Sequence, residues 1–301
     1  MKLTENMTGA LFMCGSMAGF AFNDAAIKYA SADIGIYQSI FVRGLFAVIL
    51  IGLVAWRKNV FRAFPDRRNH RLIAWRSLWE LGGTLTFLTA LFYLPIANIT
   101  ALLQALPLTV TLAAAWFLNE SIGWRRGVAI FVGFVGVLLI VQPGTDGFNA
   151  YSLLGLLCVL FVTARDLVVR KLDRSVSSLY VSFVTAVVIT ITGGLLTVIY
   201  EGWTPMQLSE VLLLGVAGCL IFAGYFFSVA AMRVGEVSFV TPFRYTVMIW
   251  AIALGYFIWG DIPNMLTMFG MAIVIGMGMF TFWREASLRR RANRKLTARS
   301  H

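Results

Sequence analysis

The chain has 301 residues, 59% of them hydrophobic and only 13% charged, with 25 Lys and Arg against 14 Asp and Glu for a formal charge of +11. A soluble domain carries about 25% charged and about 45–50% apolar residues, so a soluble globule of this length cannot hide so much apolar surface, and the surplus must face lipid. The basic balance does not point to nucleic acid, because the cations sit in short blocks between long apolar runs, the pattern that orients a membrane protein.

A helix crossing the hydrocarbon needs about 20 mainly apolar residues. Ten stretches meet that need: 7–29, 36–56, 72–94, 96–118, 122–142, 150–170, 178–200, 207–232, 236–259 and 263–283. An outer-membrane barrel would show segments of about ten alternating residues, whereas runs such as Val128–Val141 are continuously apolar.

Span one opens after Met-Lys-Leu, and Asn23 and Asp24 stand where a signal peptide would carry small residues for cleavage, so it reads as an uncleaved helix. Asp24 and Lys28 form an i,i+4 pair on it. Span two carries Arg43 with no acid three or four residues away, and ends in the loop 57–71, which holds Arg57, Lys58, Arg62, Arg67, Arg68 and Arg71. Span three carries the pair Arg76/Glu80 with Trp79 between them, and Tyr93 just before the Leu94-Pro95 joint. Span four carries Gln104 and is broken by Pro107; the Asn119-Glu120-Ser121 turn follows. Span five has Gly127, Ala129 and Gly133, small residues whose spacing lets helix backbones approach closely in lipid.

After Gln142-Pro143-Gly144, span six carries Arg165 and the pair Asp166/Arg170. Spans seven and eight are separated by Thr204-Pro205. Span nine contains Thr241-Pro242-Phe243-Arg244-Tyr245, in which Pro242 frees a carbonyl in the helix ladder beside an Arg and a Tyr. That group is a candidate site for a carboxylate or phosphate. Gly260-Asp261-Ile262-Pro263 leads into span ten, and residues 285–301 form a basic cytoplasmic tail that sets topology.

With the N-terminus cytoplasmic, the outer loops hold no Lys or Arg at all; Arg125, Arg126 and Arg170, at cytoplasmic span ends, count with the inner segments, and the other in-span cations are Lys28, Arg43, Arg76, Arg165 and Arg244. The halves also resemble one another. Asp24-x3-Lys28 matches Asp166-x3-Arg170, Gln104 matches Arg244, Trp116-Phe117 matches Tyr256-Phe257, Glu120 matches Asp261, and Gly127-Val-Ala129-x3-Gly133 matches Gly270-Met-Ala272-x3-Gly276. Each pair is about 140 positions apart. An odd number of spans per half inverts the second. The expected fold is therefore all-α and integral to the membrane, with ten transmembrane helices as two inverted five-helix repeats, 1–144 and 145–284, and both termini cytoplasmic. Such repeats underlie alternating-access carriers with a substrate site near the midplane.

Charge inside a span costs about 2.5–3.5 kcal/mol on insertion scales, so it usually faces a cavity or a partner. On that ground Asn23, Asp24, Arg43, Trp79, Glu80, Tyr93, Gln104, Asp166, Arg244 and Tyr245 are the candidate substrate-binding residues. Asp24, Glu80 and Asp166 can also exchange protons during a cycle. Cys14, Cys158 and Cys219 lie in apolar runs without paired spacing and read as packing residues. With two His, both outside the spans, and no HExxH, P-loop or nucleophile–His pairing, the chain offers no catalytic constellation, no metal site and no need for a cofactor.

Phe117-Leu118-Asn119-Glu120 followed by the glycine-bearing run Val128–Val141 resembles the end of the first domain of EamA-type drug/metabolite transporters, and the likeness runs from about Gly9 to Trp283. Asn23-Asp24-x3-Lys28-Tyr29, Phe41-Val42-Arg43 and Thr241-Pro242-Phe243-Arg244-Tyr245 are similar to the branch of that family that includes S-adenosylmethionine uptake transporters, with Phe243 where that branch is expected to carry Tyr. The resemblance implies a central cavity lined by both halves, spans five and ten at the periphery, and a bacterial inner membrane. The implied function is secondary transport of a small metabolite, carboxylate-bearing as S-adenosylmethionine or an amino-acid derivative is, with the bilayer and protons as partners and a monomer or homodimer as the unit. The alternatives are a riboflavin or other vitamin or drug carrier of the same group and, in a different class, a channel or membrane scaffold.

Overall fold

The computed structural model describes residues 5–62, 64–118, 123–145, 148–173 and 175–297. Lys2, the Asn119-Glu120-Ser121 joint, Arg174 and Arg299 lie outside the described residues, as do the side chains of 288–297. The regular elements among the described residues are all helical.

Helices α1 (Glu5–Ile34) and α2 (Ile36–Arg57) are joined at Gly35 alone, whose φ of 81° makes the sharp reversal. The N-terminus of α2 is capped from far along the chain. Glu201 accepts from the backbone N–H groups of Ile36 at 2.9 Å, Tyr37 at 3.1 Å and Gln38 at 3.1 Å, placing a carboxylate where the helix dipole favours one. Helix α3 (Arg67–Tyr93) starts on Asp66, whose side chain accepts from Asn69 N. It ends before Leu94-Pro95, because Pro disfavours helical backbone in the residue ahead of it.

Helices α4 (Ile96–Leu103) and α5 (Leu106–Leu118) form one rod interrupted at Gln104-Ala105, where Pro107 has no N–H to give back to the preceding turn. Helices α6 (Trp124–Val141), α7 (Tyr151–Val169), α8 (Ser178–Leu196, continued by a π-turn to Glu201) and α9 (Leu208–Val234) follow. The next stretch is broken into a single turn α10 (Val237–Val240), a 3-10 segment Thr241–Thr246 around Pro242, α11 (Val247–Leu254) and a π-turn Gly255–Trp259. Helix α12 (Met265–Thr297) closes the chain.

Eight helices among the described residues are long and apolar enough to cross a membrane, α4 and α5 counting as one. The two remaining predicted spans are helical too. Helix α3 has the length, but Arg67, Arg68, Arg71, Arg76 and Glu80 give it too much charge, and residues 237–259 are too fragmented to form one long helix. Large apolar side chains are exposed on many helices: Phe131, Phe257 and Met265 are 71%, 81% and 84% exposed, which water would not tolerate on this scale and lipid does.

Packing pairs α1 with α9, α3 with α7, α2 with α8 and α6 with α12. Lipid gives helices no hydrophobic reason to associate, so close backbone approach and interhelical hydrogen bonds must do so. Ser16 Oγ donates to Gly224 O at 2.7 Å, joining α1 to α9. Between α6 and α12 the tightest approach is at Gly136 and Gly270, where a Cβ on Gly270 would stand 2.6 Å from the Gly136 carbonyl oxygen. It lies one turn away from the Ala129/Gly133 and Ala272/Gly276 faces that small-residue spacing suggests. A Cβ on Gly133 would meet Leu108 of α5 and Met277 of α12, whereas one on Gly276 would meet nothing within 4 Å.

Candidate functional site

A cavity of 480 Å³ lies among α1, α2, α3, α4–α5, α7, α9, the Pro242 segment and α12. Its lining reaches Arg170 at the end of α7 and Thr281 and Phe282 on α12. At the opposite end a packed layer closes it. Ile27, Ile34, Leu91, Leu94, Ile96 and Ile99 are all fully buried there. Above this layer Lys28 donates to the Leu94 carbonyl and stands 5.3 Å from the centroid of the Trp259 ring.

Eight of the ten candidate residues line the cavity: Asn23, Asp24, Arg43, Glu80, Gln104, Asp166, Arg244 and Tyr245. The helix breaks put them there. Gln104 sits at the interruption ahead of Pro107, and Arg244 and Tyr245 project from the tight 3-10 turn that follows Pro242. Trp79 and Tyr93 do not line it. Trp79 packs between Trp75 and Phe161, at ring distances of 6.1 Å and 5.9 Å. Tyr93 is half exposed and stacks on Tyr151 at 3.9 Å.

The charges are arranged in groups. Arg165 on α7 donates through Nη1 to both Glu80 oxygens on α3, at 3.1 and 2.9 Å, and through Nε to Asp166 Oδ1 at 2.9 Å. Arg76 adds a longer contact to Glu80 at 3.5 Å and donates to Thr185 Oγ1 at 2.6 Å. Arg165 is thus a bridge between two helices rather than a side chain reaching to the membrane surface. On α1, Asn23 stands between Asp24 and Arg43: its Nδ2 donates to Asp24 Oδ1 at 2.9 Å, and its Oδ1 accepts from Arg43 Nη1 at 3.3 Å. Asp24 does not pair with Lys28, which is engaged at the closing layer.

Among the described residues, three that line the cavity hold a buried polar atom with no hydrogen-bond partner: Arg43 Nε, Gln104 Nε2 and the Tyr245 hydroxyl. Buried polar atoms are normally paired, so these mark places for a ligand or water. The remaining lining mixes hydroxyls (Thr84, Thr100, Thr111, Thr281) with rings (Phe20, Phe87, Tyr225, Phe282). Residue-by-residue reading missed these, because an uncharged Thr or Phe in an apolar run carries no signal of which way it faces. Among the described residues no three His, Cys, Asp or Glu gather as a metal-binding group.

The EamA-like transporter family matches the chain twice, over residues 7–142 and 149–283. The chain is 27% identical over 288 residues to an S-adenosylmethionine uptake transporter of Rickettsia conorii, covering 94% of this chain and 95% of that one. It is 27% identical over 293 residues to a riboflavin transporter of Vibrio cholerae, covering 95% and 97%. It is 24% identical over 263 residues to the pseudopaline exporter CntI of Pseudomonas aeruginosa, covering 86% and 91%. One crystal structure shares the fold with a TM-score of 0.61 at 15% identity, covering 90% of this chain and 94% of that one. The family and these relatives are transporters, and the chain, a multi-pass integral membrane protein, belongs to the EamA-like transporter family.

Proposed function

We propose that this chain is a secondary, alternating-access transporter that moves a small carboxylate-bearing metabolite, in the class of S-adenosylmethionine or an amino-acid derivative, across a bacterial inner membrane. The carrying observation is the charged cavity, enclosed by helices from both halves and closed at one end. A cavity sealed on one side is one half of an alternating-access cycle. In this reading the other end, reached through Arg170, Thr281 and Phe282, faces the cytoplasm, which the basic loops support.

The same reading takes the chain as ten spans in two inverted repeats, 1–144 and 145–284, with both termini cytoplasmic. Its support is the packing. Shifting every span by five turns the α1–α9 pair into the α7–α3 pair and maps the α2–α8 and α6–α12 pairs onto themselves. Proton coupling would use Asp24, the cavity carboxylate with no ion pair among the described residues. Riboflavin is the second reading, favoured by the ring-lined wall and by the Vibrio cholerae relative.

The test is uptake into proteoliposomes of labelled S-adenosylmethionine, amino-acid derivatives and riboflavin, with and without an imposed pH gradient. Saturable uptake accelerated by the same compound on the far side is the expected result. Unsaturable flux with single-channel currents would replace the carrier by a channel.

A further inference from the structure

Seven charged side chains line the cavity: Asp24, Arg43, Glu80, Arg165, Asp166, Arg170 and Arg244. Sorted by contact, most of them cancel. Arg76 and Arg165 hold Glu80 and Asp166, two positive charges on two negative ones. Asp24 and Arg43 share Asn23, one charge of each sign. Arg170 stands at the mouth, at the end of α7, where it has interactions of its own. Arg244 belongs to neither group. Among the described residues its guanidinium makes no hydrogen bond or ion pair, and its charged neighbours, Asp166 and Arg165, are already bound to each other.

Arg244 is exposed to the cavity, so its charge is held ready for a ligand or ion and not spent on a protein partner. The orphaned atoms agree in kind. Arg43 Nε, Gln104 Nε2 and the Tyr245 hydroxyl can all donate a hydrogen bond. Beside Arg244, donors without partners suit an acceptor-rich anion.

We infer that Arg244 selects the substrate by charge: the metabolite carries one net negative charge, and its carboxylate lies on the Arg244 guanidinium. This rests on the carrier reading and narrows it. A monoanion is preferred over a zwitterion, and over a net cation such as S-adenosylmethionine.

The test uses the purified full chain in nanodiscs of net-neutral lipid, so that headgroups do not compete. The probes share one ring and differ in charge: phenylalaninamide as cation, phenylalanine as zwitterion and N-acetylphenylalanine as monoanion, with S-adenosylmethionine as a second cation. A ligand that binds the folded state raises its melting temperature in a saturable way. The expected order places N-acetylphenylalanine first. Arg244→Gln weakens it by about tenfold or more, the size of a lost charged hydrogen bond, while Arg244→Lys preserves the order. If Arg244→Gln melts too early to titrate, the order in the unmodified protein decides. Equal or tighter binding of the zwitterion or a cation overturns the inference, as does an absence of any response to the monoanion or an order unchanged in Arg244→Gln. The carrier reading fails differently: the monoanion binds in the expected order, yet proteoliposomes neither take it up nor exchange it.

Discussion

Arg165 holds Glu80 and Asp166 at once, and that arrangement decides what the neighbouring charges can do. The linear sequence shows Arg76/Glu80 and Asp166/Arg170 as pairs four apart on one helix face, yet Glu80 takes its shortest bonds from another helix. Helical spacing reports only neighbours on the same helix, so a bridge from α7 to α3 was not legible, whereas the isolation of Arg244 was, since no acid lies within a turn of it. Removing one partner of a buried pair strands the other. Arg165→Ala is therefore expected to lower stability by about 3 kcal/mol, read from thermal melts in nanodiscs. Glu80→Gln combined with Arg165→Gln should cost clearly less than the two single losses added together, because the double variant leaves no uncompensated charge at that contact. Additive losses would mean that the bridge contributes nothing as a pair.

Helix ends and breaks divide in the same way between local and distant causes. Pro107 and Pro242 announce the interruptions at Gln104-Ala105 and at Thr241–Thr246, because a missing N–H acts within its own turn. The cap on α2 has no local signature, since its carboxylate comes from Glu201 at the far end of α8. Gln38 and Thr204 reinforce that junction with reciprocal bonds, Gln38 Nε2 to Thr204 O at 2.8 Å and Thr204 N to Gln38 Oε1 at 2.9 Å. Glu201→Gln removes the negative charge from a helix N-terminus and is expected to cost about 1 kcal/mol, with little change in substrate affinity. Between α6 and α12, Gly270→Val drives a side chain into the Gly136 carbonyl, and overpacking of that kind costs about 1–3 kcal/mol. A neutral melting temperature for Gly270→Val would show that the two helices can separate without loss.

At the scale of the whole molecule, the ten apolar runs read from hydropathy and the eight helices that qualify by length and composition differ at α3 and at residues 237–259. Those two stretches supply Glu80, Arg244 and Tyr245, so the segments least like ordinary spans carry much of the cavity's polar lining. Function and span-like regularity compete there: a charge or a proline that helps build a site spoils the run. The closing layer at the other end is plain in composition, being Ile and Leu, and only its fastening is polar. Lys28 joins α1 to the Leu94 carbonyl between α3 and α4, lies over Trp259, and has Asp261 as its charged neighbour. In the proposed alternating-access cycle, outward opening breaks that fastening, because it ties α1 and the α3–α4 joint to Trp259. With Cys14, Cys158 and Cys219 replaced, Thr281→Cys should react with a membrane-impermeant maleimide from the cytoplasmic face, and Thr100→Cys, beneath the closed layer, should react slowly from the opposite face. Adding Lys28→Ala should speed the outer reaction at Thr100→Cys and slow the inner one at Thr281→Cys, since a population moved toward the outward-open state leaves the inward-open one. A rise at both positions would instead indicate general loosening of the bundle, and no change at either would remove Lys28 from the gate.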